Sequence, residues 1–176
     1  MAYLLDSGVF IEARRRFYGL DFVPGYWEWL MHEAEAGSFR SIEKVADELG
    51  SQQDDLSAWA ATLPAGFFLR PSTGFSEAFQ RVSQWAVTSG YQSAAQHEFF
   101  GAADSFLVSQ ALDGGHTVVT LEKPATTPSK KKIKIPDACF AVGVKCMTPF
   151  ELMRLKGVRL VLDRPAPPPQ NRAASR

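Results

Sequence analysis

The chain has 176 residues, 45% of them apolar, which suffices for one ordinary domain with a real core and argues against a disordered or fibrous protein. Its net charge is zero, with 19 basic and 19 acidic residues, so the total does not mark it as a nucleic-acid binder. No apolar run approaches the ~20 residues that cross a membrane, which argues against a membrane role.

The zero total hides an asymmetry. Residues 1–104 carry a net charge of −7 and residues 105–176 one of +7. That split suggests an acidic and a basic region on one molecule, although solvated faces with a chance distribution of charge explain it equally well. The cysteines, Cys139 and Cys146, form no metal-ligand spacing with His32, His97 or His116. Without a secretory leader in view, a cytoplasmic location and two buried thiols are the simpler expectation.

In chain order, Tyr3-Leu4-Leu5 reads as a short buried strand ending on Asp6. Ser7-Gly8 breaks it and Val9 to Ala13 begins a helix. A carboxylate at the C-terminal end of a strand, followed directly by a helix, stands where open α/β sheets bind ligands. Tyr26, Trp27, Leu30 and Met31 suit a helix with one buried face over 22–35. Ser38-Phe39-Arg40 suggests a short strand, and Ser41 an N-cap for a helix that buries Ile42, Val45, Ala46 and Leu49, with Glu48 adjoining the stripe. Further helices are predicted around 56–63, over 76–89 and over 102–112, with an extended Phe67-Phe68-Leu69 between the first two. Asp104 stands in the first turn of the last of these. Gly114-Gly115 closes it, and His116 to Leu121 is strand-like and leads to Glu122. Residues 123–134 read as an exposed basic loop, 144–147 as a last strand and 149–155 as a last helix. The expected organisation is one domain over 1–163 and a disordered Pro-rich tail over 164–176. Helices alternating with short apolar strands predict an α/β domain with a mainly parallel sheet.

Asp6, Glu48, Asp104 and Glu122 each sit beside apolar residues at the edge of an element. Carboxylates there are costly unless paired or bound to a cation. A hard divalent ion prefers such oxygens, and could clamp a phosphodiester and activate a water. Each residue also has a bland explanation: Asp104 as a helix-start charge, Glu48 as a surface residue with Asp47 as its rival, Glu122 as a solvated strand end. Ser7, Thr120 and Thr148 could orient a carboxylate or a water, or simply cap backbone groups. Arg14, Arg15 and Arg16 could hold phosphates or complete a helix C-terminus. Lys130, Lys131, Lys132 and Lys134 could hold phosphates or merely be solvated.

Tyr3-Leu4-Leu5-Asp6-Ser7-Gly8-Val9-Phe10-Ile11 resembles the opening of PIN-domain nucleases. The run Ser41-Ile42 through Glu48-Leu49 is similar to the family's second acidic element. Ala103-Asp104-Ser105-Phe106-Leu107 resembles its third, and Thr117 to Glu122 its strand-Thr-x-Asp element. Met147-Thr148-Pro149 is similar to its closing Thr-Pro. The matches run in order over residues 3–155. Gly8 stands where the family usually has Asn, and Glu122 where it commonly has Asp. The resemblance implies a PIN-like three-layer α/β fold and a cytoplasmic Mg²⁺- or Mn²⁺-dependent endoribonuclease, of the divergent VapC-like toxin branch. Asp6, Glu48, Asp104 and Glu122 would be its catalytic and metal residues, supported by Ser7 and Thr120. Its partners would be an RNA substrate and a cognate antitoxin, with a homodimer also to be tested. The aromatic segment 22–30 is a candidate dock for that antitoxin, against ordinary core. The rival readings are a PIN-like interaction module that has lost catalysis, and a nuclease acting on DNA.

Overall fold

The computed structural model describes residues 1–127 and 129–161. It is an α/β fold whose five strands form one all-parallel sheet flanked by helices, consistent with the expected three-layer architecture. The strands are β1 (Tyr3–Leu5), β2 (Phe39–Ile42), β3 (Phe68–Leu69), β4 (Thr117–Val119) and β5 (Lys145–Met147), in spatial order β3-β2-β1-β4-β5. β1 is central, with Tyr3 opposite Phe39 of β2 and Thr117 of β4. From β1 the chain builds outward through β2 to β3, then returns to the other side for β4 and β5. The order therefore reverses between β1 and β4, and the carboxyl ends of those strands open onto the crevice where such sheets take ligands.

Helix α1 (Ser7–Glu12) follows β1 directly and continues as a π-helical turn over Ala13–Phe17, where the N–H of Tyr18 reaches the carbonyl of Ala13 at 2.6 Å. Helix α2 (Pro24–Glu35) starts on proline, whose fixed φ suits a first turn. It buries Tyr26, Trp27 and Leu30 of the expected face together with Ala34, whereas Met31 is only half-buried. Tyr26 stacks on Tyr18 with 4.2 Å between centroids, and the Trp27 indole donates to the Tyr18 carbonyl at 2.7 Å. Trp29 is half-buried, edge-on to Phe39. The groove that Trp27 lines with Leu20, Met31 and Trp59 contains none of the four candidate carboxylates. Tyr26 and Trp27 are therefore core, as befits an amphipathic helix that covers a sheet, whereas Trp29 is half-buried and Phe22 exposed.

Ser41 corrects a second expectation. It is not a helix cap but a buried residue inside β2, its hydroxyl donating to the Leu5 carbonyl at 2.6 Å across the sheet. Helix α3 (Glu43–Gly50) begins after Ile42 and buries Val45 and Leu49. Helix α4 (Asp55–Ala60) is held by a capping box between Asp54 and Ser57. Helix α5 (Phe75–Thr88) packs heavily on α7, and α6 (Ser93–Gly101), which precedes α7, lies where the sequence pattern predicts no helix. The chain breaks between them at Ala102, which is extended at φ −90° and ψ 174°. Helix α7 (Ala103–Gly114) ends on Gly115 at φ 63°, a left-handed position that suits glycine. Helix α8 (Ile135–Val142), also missed in the sequence, connects β4 to β5, and α9 (Pro149–Leu155) closes the domain. Cys139 on α8 is buried, but Cys146 on β5 is only half-buried, which corrects the pair of buried thiols. The proposed tail over 164–176 lies outside the described residues, among which no helix is long and apolar enough to cross a membrane.

Candidate metal centre at the β1/β4 crevice

The backbone explains why the four carboxylates lie at one end of the sheet. Asp6 leaves the carboxyl end of β1, its N–H held by the Val119 carbonyl of β4 at 3.0 Å. α3 follows β2 and brings Glu48 to the same edge. α7 runs back along the sheet, so its first turn and Asp104 stand above that edge too, and Glu122 lies just beyond β4. Their mutual repulsion is felt in ionisation: Glu122 and Glu48 both act on Asp6, and Asp6, Glu122 and Glu48 all act on Asp104.

Asp6 is 7% exposed. Burial, reinforced by Glu122 and Glu48, raises its pKa to about 6, against hydrogen bonds from Thr120 and the Ser7 backbone that favour the charged form. The Thr120 hydroxyl donates to Asp6 Oδ2 at 2.9 Å and accepts the Glu122 N–H at 3.1 Å. Thr120 thus holds Asp6 in place. A Cβ at Gly8 would lie 3.1 Å from Asp6 Oδ2, so the glycine leaves this carboxylate its room. Asp104 is pushed further, to about 7, by burial and then by Asp6, Glu122 and Glu48, with Lys132 opposing. Its carboxylate makes no hydrogen bond or ion pair with any described residue.

The other two carboxylates are compensated. Glu48 Oε1 accepts the N–H of Ala103 at 3.0 Å, capping α7 from a distance where Ala102 offers no side-chain cap. Its rival Asp47 is exposed on the outer side of α3, lining an opening with Glu43 and Arg70. Glu122 Oε2 accepts the Ile135 N–H at 2.9 Å, and Oε1 meets Lys134 Nζ at 3.1 Å and Lys132 Nζ at 3.3 Å. Burial would raise its pKa, but these donors and charges outweigh it and bring it below the ordinary value.

The remaining candidates divide. Arg14 is bound to Asp54 at 2.8 Å and also paired with Asp55, and Arg16 pairs with Glu12 at 2.6 Å. Arg14 and Arg16 are thus engaged within the protein, and Arg15 reaches Gln52 at 3.5 Å. They do not close an α-helix as expected but lie in the π-helical turn. Thr148 is spent on a capping box with Glu151 at the start of α9. Lys130 sits 4.4 Å over the Tyr91 ring, and Lys131 is exposed. The basic loop is less free than the sequence suggested: Gln92 N–H bonds the Lys130 carbonyl at 3.0 Å, and Asp137 accepts the Ala125 N–H at 3.2 Å. His97 and Glu98 are exposed on α6.

The donors are hard oxygens, and two of them are destabilised as anions, which suits Mg²⁺ or Mn²⁺. Yet among the described residues no three acidic, imidazole or thiol groups are gathered closely enough to form a ready-made metal site. Glu48 and Glu122 are turned to their protein partners.

No curated protein and no solved structure matches the chain. A family model described as a domain of unknown function, DUF4411, matches residues 3–160, and the chain belongs to that family.

Proposed function

We propose that the chain is a PIN-type nuclease that hydrolyses RNA phosphodiesters with the help of Mg²⁺ or Mn²⁺, and that it acts as the toxin of a toxin–antitoxin pair. The observation that carries the chemistry is the pair Asp6 and Asp104. Both stand at the reversal point of the sheet, and both are raised into the neutral range by burial and carboxylate neighbours. Among the described residues, Asp104 also has no hydrogen-bond donor to offset that cost. A divalent cation would remove it.

In this reading Asp6 and Asp104 hold the ion, and Glu48 joins them by releasing the Ala103 N–H or reaches it through water. The bound ion would supply a more acidic water as nucleophile and charge compensation for the leaving oxygen. Thr120 and the Ser7 N–H keep Asp6 aimed, and the lysines beside Glu122 hold the substrate backbone. The toxin role rests on the ordered resemblance over residues 3–155, and it places the protein in the cytoplasm with an antitoxin partner. A substrate of DNA would use the same carboxylates, so the nucleic acid is decided by experiment.

A second reading is favoured by one observation: the carboxylates are not gathered into a closed set. The chain would then be an interaction module that keeps the fold without catalysis. Titrating Mn²⁺ while following the melting temperature separates the two, because a ligand that binds only the folded state raises it by mass action. RNA ends sequenced after expression of wild type and Asp104→Asn test the activity. One cleaved species enriched only by wild type is expected. Equal cleavage by the variant, or no melting shift at millimolar Mn²⁺, would overturn the proposal.

A further inference from the structure

Glu122 matches the position of a fourth acidic ligand, but its surroundings assign it other work. We infer that Glu122 is not a metal ligand but the positioning residue that fixes Lys132 and Lys134 as a phosphate-binding wall beside Asp6 and Asp104. The inference rests on the nuclease reading and deepens it, naming what grips the substrate backbone.

Both carboxylate oxygens of Glu122 are committed. Oε2 accepts the N–H of Ile135, the first residue of α8, at 2.9 Å. Oε1 is shared by Lys134 at 3.1 Å and Lys132 at 3.3 Å. The backbone N–H of Glu122 is in turn held by the Thr120 hydroxyl that also bonds Asp6. A short chain of contacts therefore links the metal-seeking Asp6 to the two lysines.

The lysines are kept in place from the other side as well. Lys132 lies 3.8 Å from Glu98 of α6, and Lys130 is held by Tyr91 and by the Gln92 N–H. Ile133, between the two lysines, is 2% exposed and anchors the segment in the core. Lys132 remains about half exposed and is the cation that acts on Asp104. An ammonium group has three N–H donors, so a lysine bound to Glu122 still has some to offer a phosphate oxygen. Holding the side chain beforehand reduces the ordering that binding must impose.

The inference has a sign that simple charge does not share. Removing one negative charge near a polyanion site ought to tighten RNA binding by general electrostatics. Releasing positioned lysines ought to weaken it. The test uses the full chain, a labelled single-stranded RNA oligonucleotide in EDTA followed by fluorescence anisotropy, and Mn²⁺ followed by calorimetry. Glu122→Gln is expected to weaken RNA binding about 5- to 10-fold, comparably to Lys132→Met, and to lose little more in a Lys132→Met/Lys134→Met background. Its Mn²⁺ affinity should stay within about twofold of wild type. Lys145→Met, which removes an exposed charge on β5, should leave RNA binding within about twofold.

RNA binding that tightens or stays level in Glu122→Gln would overturn the inference, as would an equal loss in Lys145→Met. A tenfold or larger loss of Mn²⁺ affinity in Glu122→Gln would restore it as a ligand and equally overturn the inference. If Glu122→Gln does not fold, additivity of Lys132→Met with Glu122→Asp decides: independent losses count against a shared role. If wild type binds no Mn²⁺, the nuclease reading fails, and the lysine wall stands or falls on the RNA measurements alone.

Discussion

Two pairs of carboxylates share one crevice and live under different rules. Glu48 and Glu122 have N–H or ammonium partners from the protein, and Glu122 is easier to ionise than usual. Asp6 and Asp104 are harder to ionise, and Asp104 has no hydrogen-bond donor among the described residues. The comparison teaches that acidic residues brought together by a fold need not do one job. Glu48 and Glu122 stabilise helix starts and a loop, whereas Asp6 and Asp104 carry a net electrostatic cost of burial that, in the proposed reading, an external cation would relieve.

The largest expected effect is on the pair Asp6 and Asp104. Asp104→Asn should reduce Mn²⁺-dependent RNA cleavage at least ~1,000-fold, equivalent to about 4 kcal/mol of lost transition-state stabilisation. The same variant should melt higher than wild type without metal at pH 8, because it removes a charge whose burial is unfavourable. Cleavage measured beside a metal-free melting curve checks both. A lower metal-free melting temperature would show that Asp104 is compensated after all, and the contrast between the pairs would be gone.

Proton linkage sharpens the same contrast. Asp6 and Asp104 have folded values of about 6 and about 7, against 3.8 for an ordinary Asp. Between these values the folded state holds more protons than the unfolded state, so stability falls as pH rises. The added stability is present at low pH, begins to fade above roughly pH 4 and is lost above the folded values, near pH 7. Each pH unit over which one extra proton is held changes stability by about 1.4 kcal/mol. Other groups add their own slopes, so the comparison is best made against the Asp6→Asn/Asp104→Asn variant. Relative to it, the metal-free wild type should lose roughly 8–16 °C of melting temperature between pH 5 and pH 8. Mn²⁺ at pH 8 should restore most of that loss, as seen by calorimetry. Equal slopes for both proteins would remove the proposed electrostatic cost.

Much of this arrangement was legible before any coordinates. Leu4-Leu5-Asp6 declared a buried strand with a carboxylate at its end, and the periodicity of Tyr26, Trp27 and Leu30 declared the buried face of α2. Asp104 in the first turn of α7 followed from Ala103, Phe106 and Leu107. The misses have physical causes. Ser41 reads locally as a cap, but a partner 36 residues away in sequence, the Leu5 carbonyl, claims its hydroxyl inside the sheet. Helix α6 buries only Ala95 and Phe99 and so shows little apolar stripe to mark it, whereas the start of α7 at Ala102 is legible although its cap comes from Glu48 of α3. The start of α8 carried a usable signal in Pro136 near its first turn and Gly143 after its last. It was obscured by the lysines before it. Pairing between those lysines and Glu122 is tertiary and has no mark in local sequence.

A smaller effect is expected at Thr120, which joins the two pairs by donating to Asp6 and accepting from Glu122. Thr120→Val keeps the shape and removes both bonds. It should destabilise the protein by about 1–2 kcal/mol, since hydrogen bonds to charged groups exceed the ordinary ~1 kcal/mol. Without its donor, Asp6 should titrate higher still. Mn²⁺ affinity should therefore fall severalfold at pH 6, and less at pH 8, where the carboxyl is ionised in both proteins. An affinity loss that does not depend on pH would mean that Thr120 acts on geometry alone.

The smallest effect is the one that separates cations facing the crevice from cations engaged elsewhere. Lys132 is joined to the carboxylate cluster through Glu122, while Arg14 is held by Asp54 and Asp55 at the start of α4. A phosphate that used Arg14 would first have to draw it from two carboxylates. Arg14→Ala should then leave RNA affinity within about twofold and the slope of log affinity against log salt unchanged. Lys132→Met should make that slope shallower by roughly one ion, as expected for a lost phosphate contact. Arg14 is partly exposed, with 28% of its side chain accessible, so the variant's stability should drop by no more than about 1 kcal/mol. A salt slope reduced equally by both substitutions would move the RNA path across α1, because two cations in different ion-pair networks would then be neutralising phosphates together.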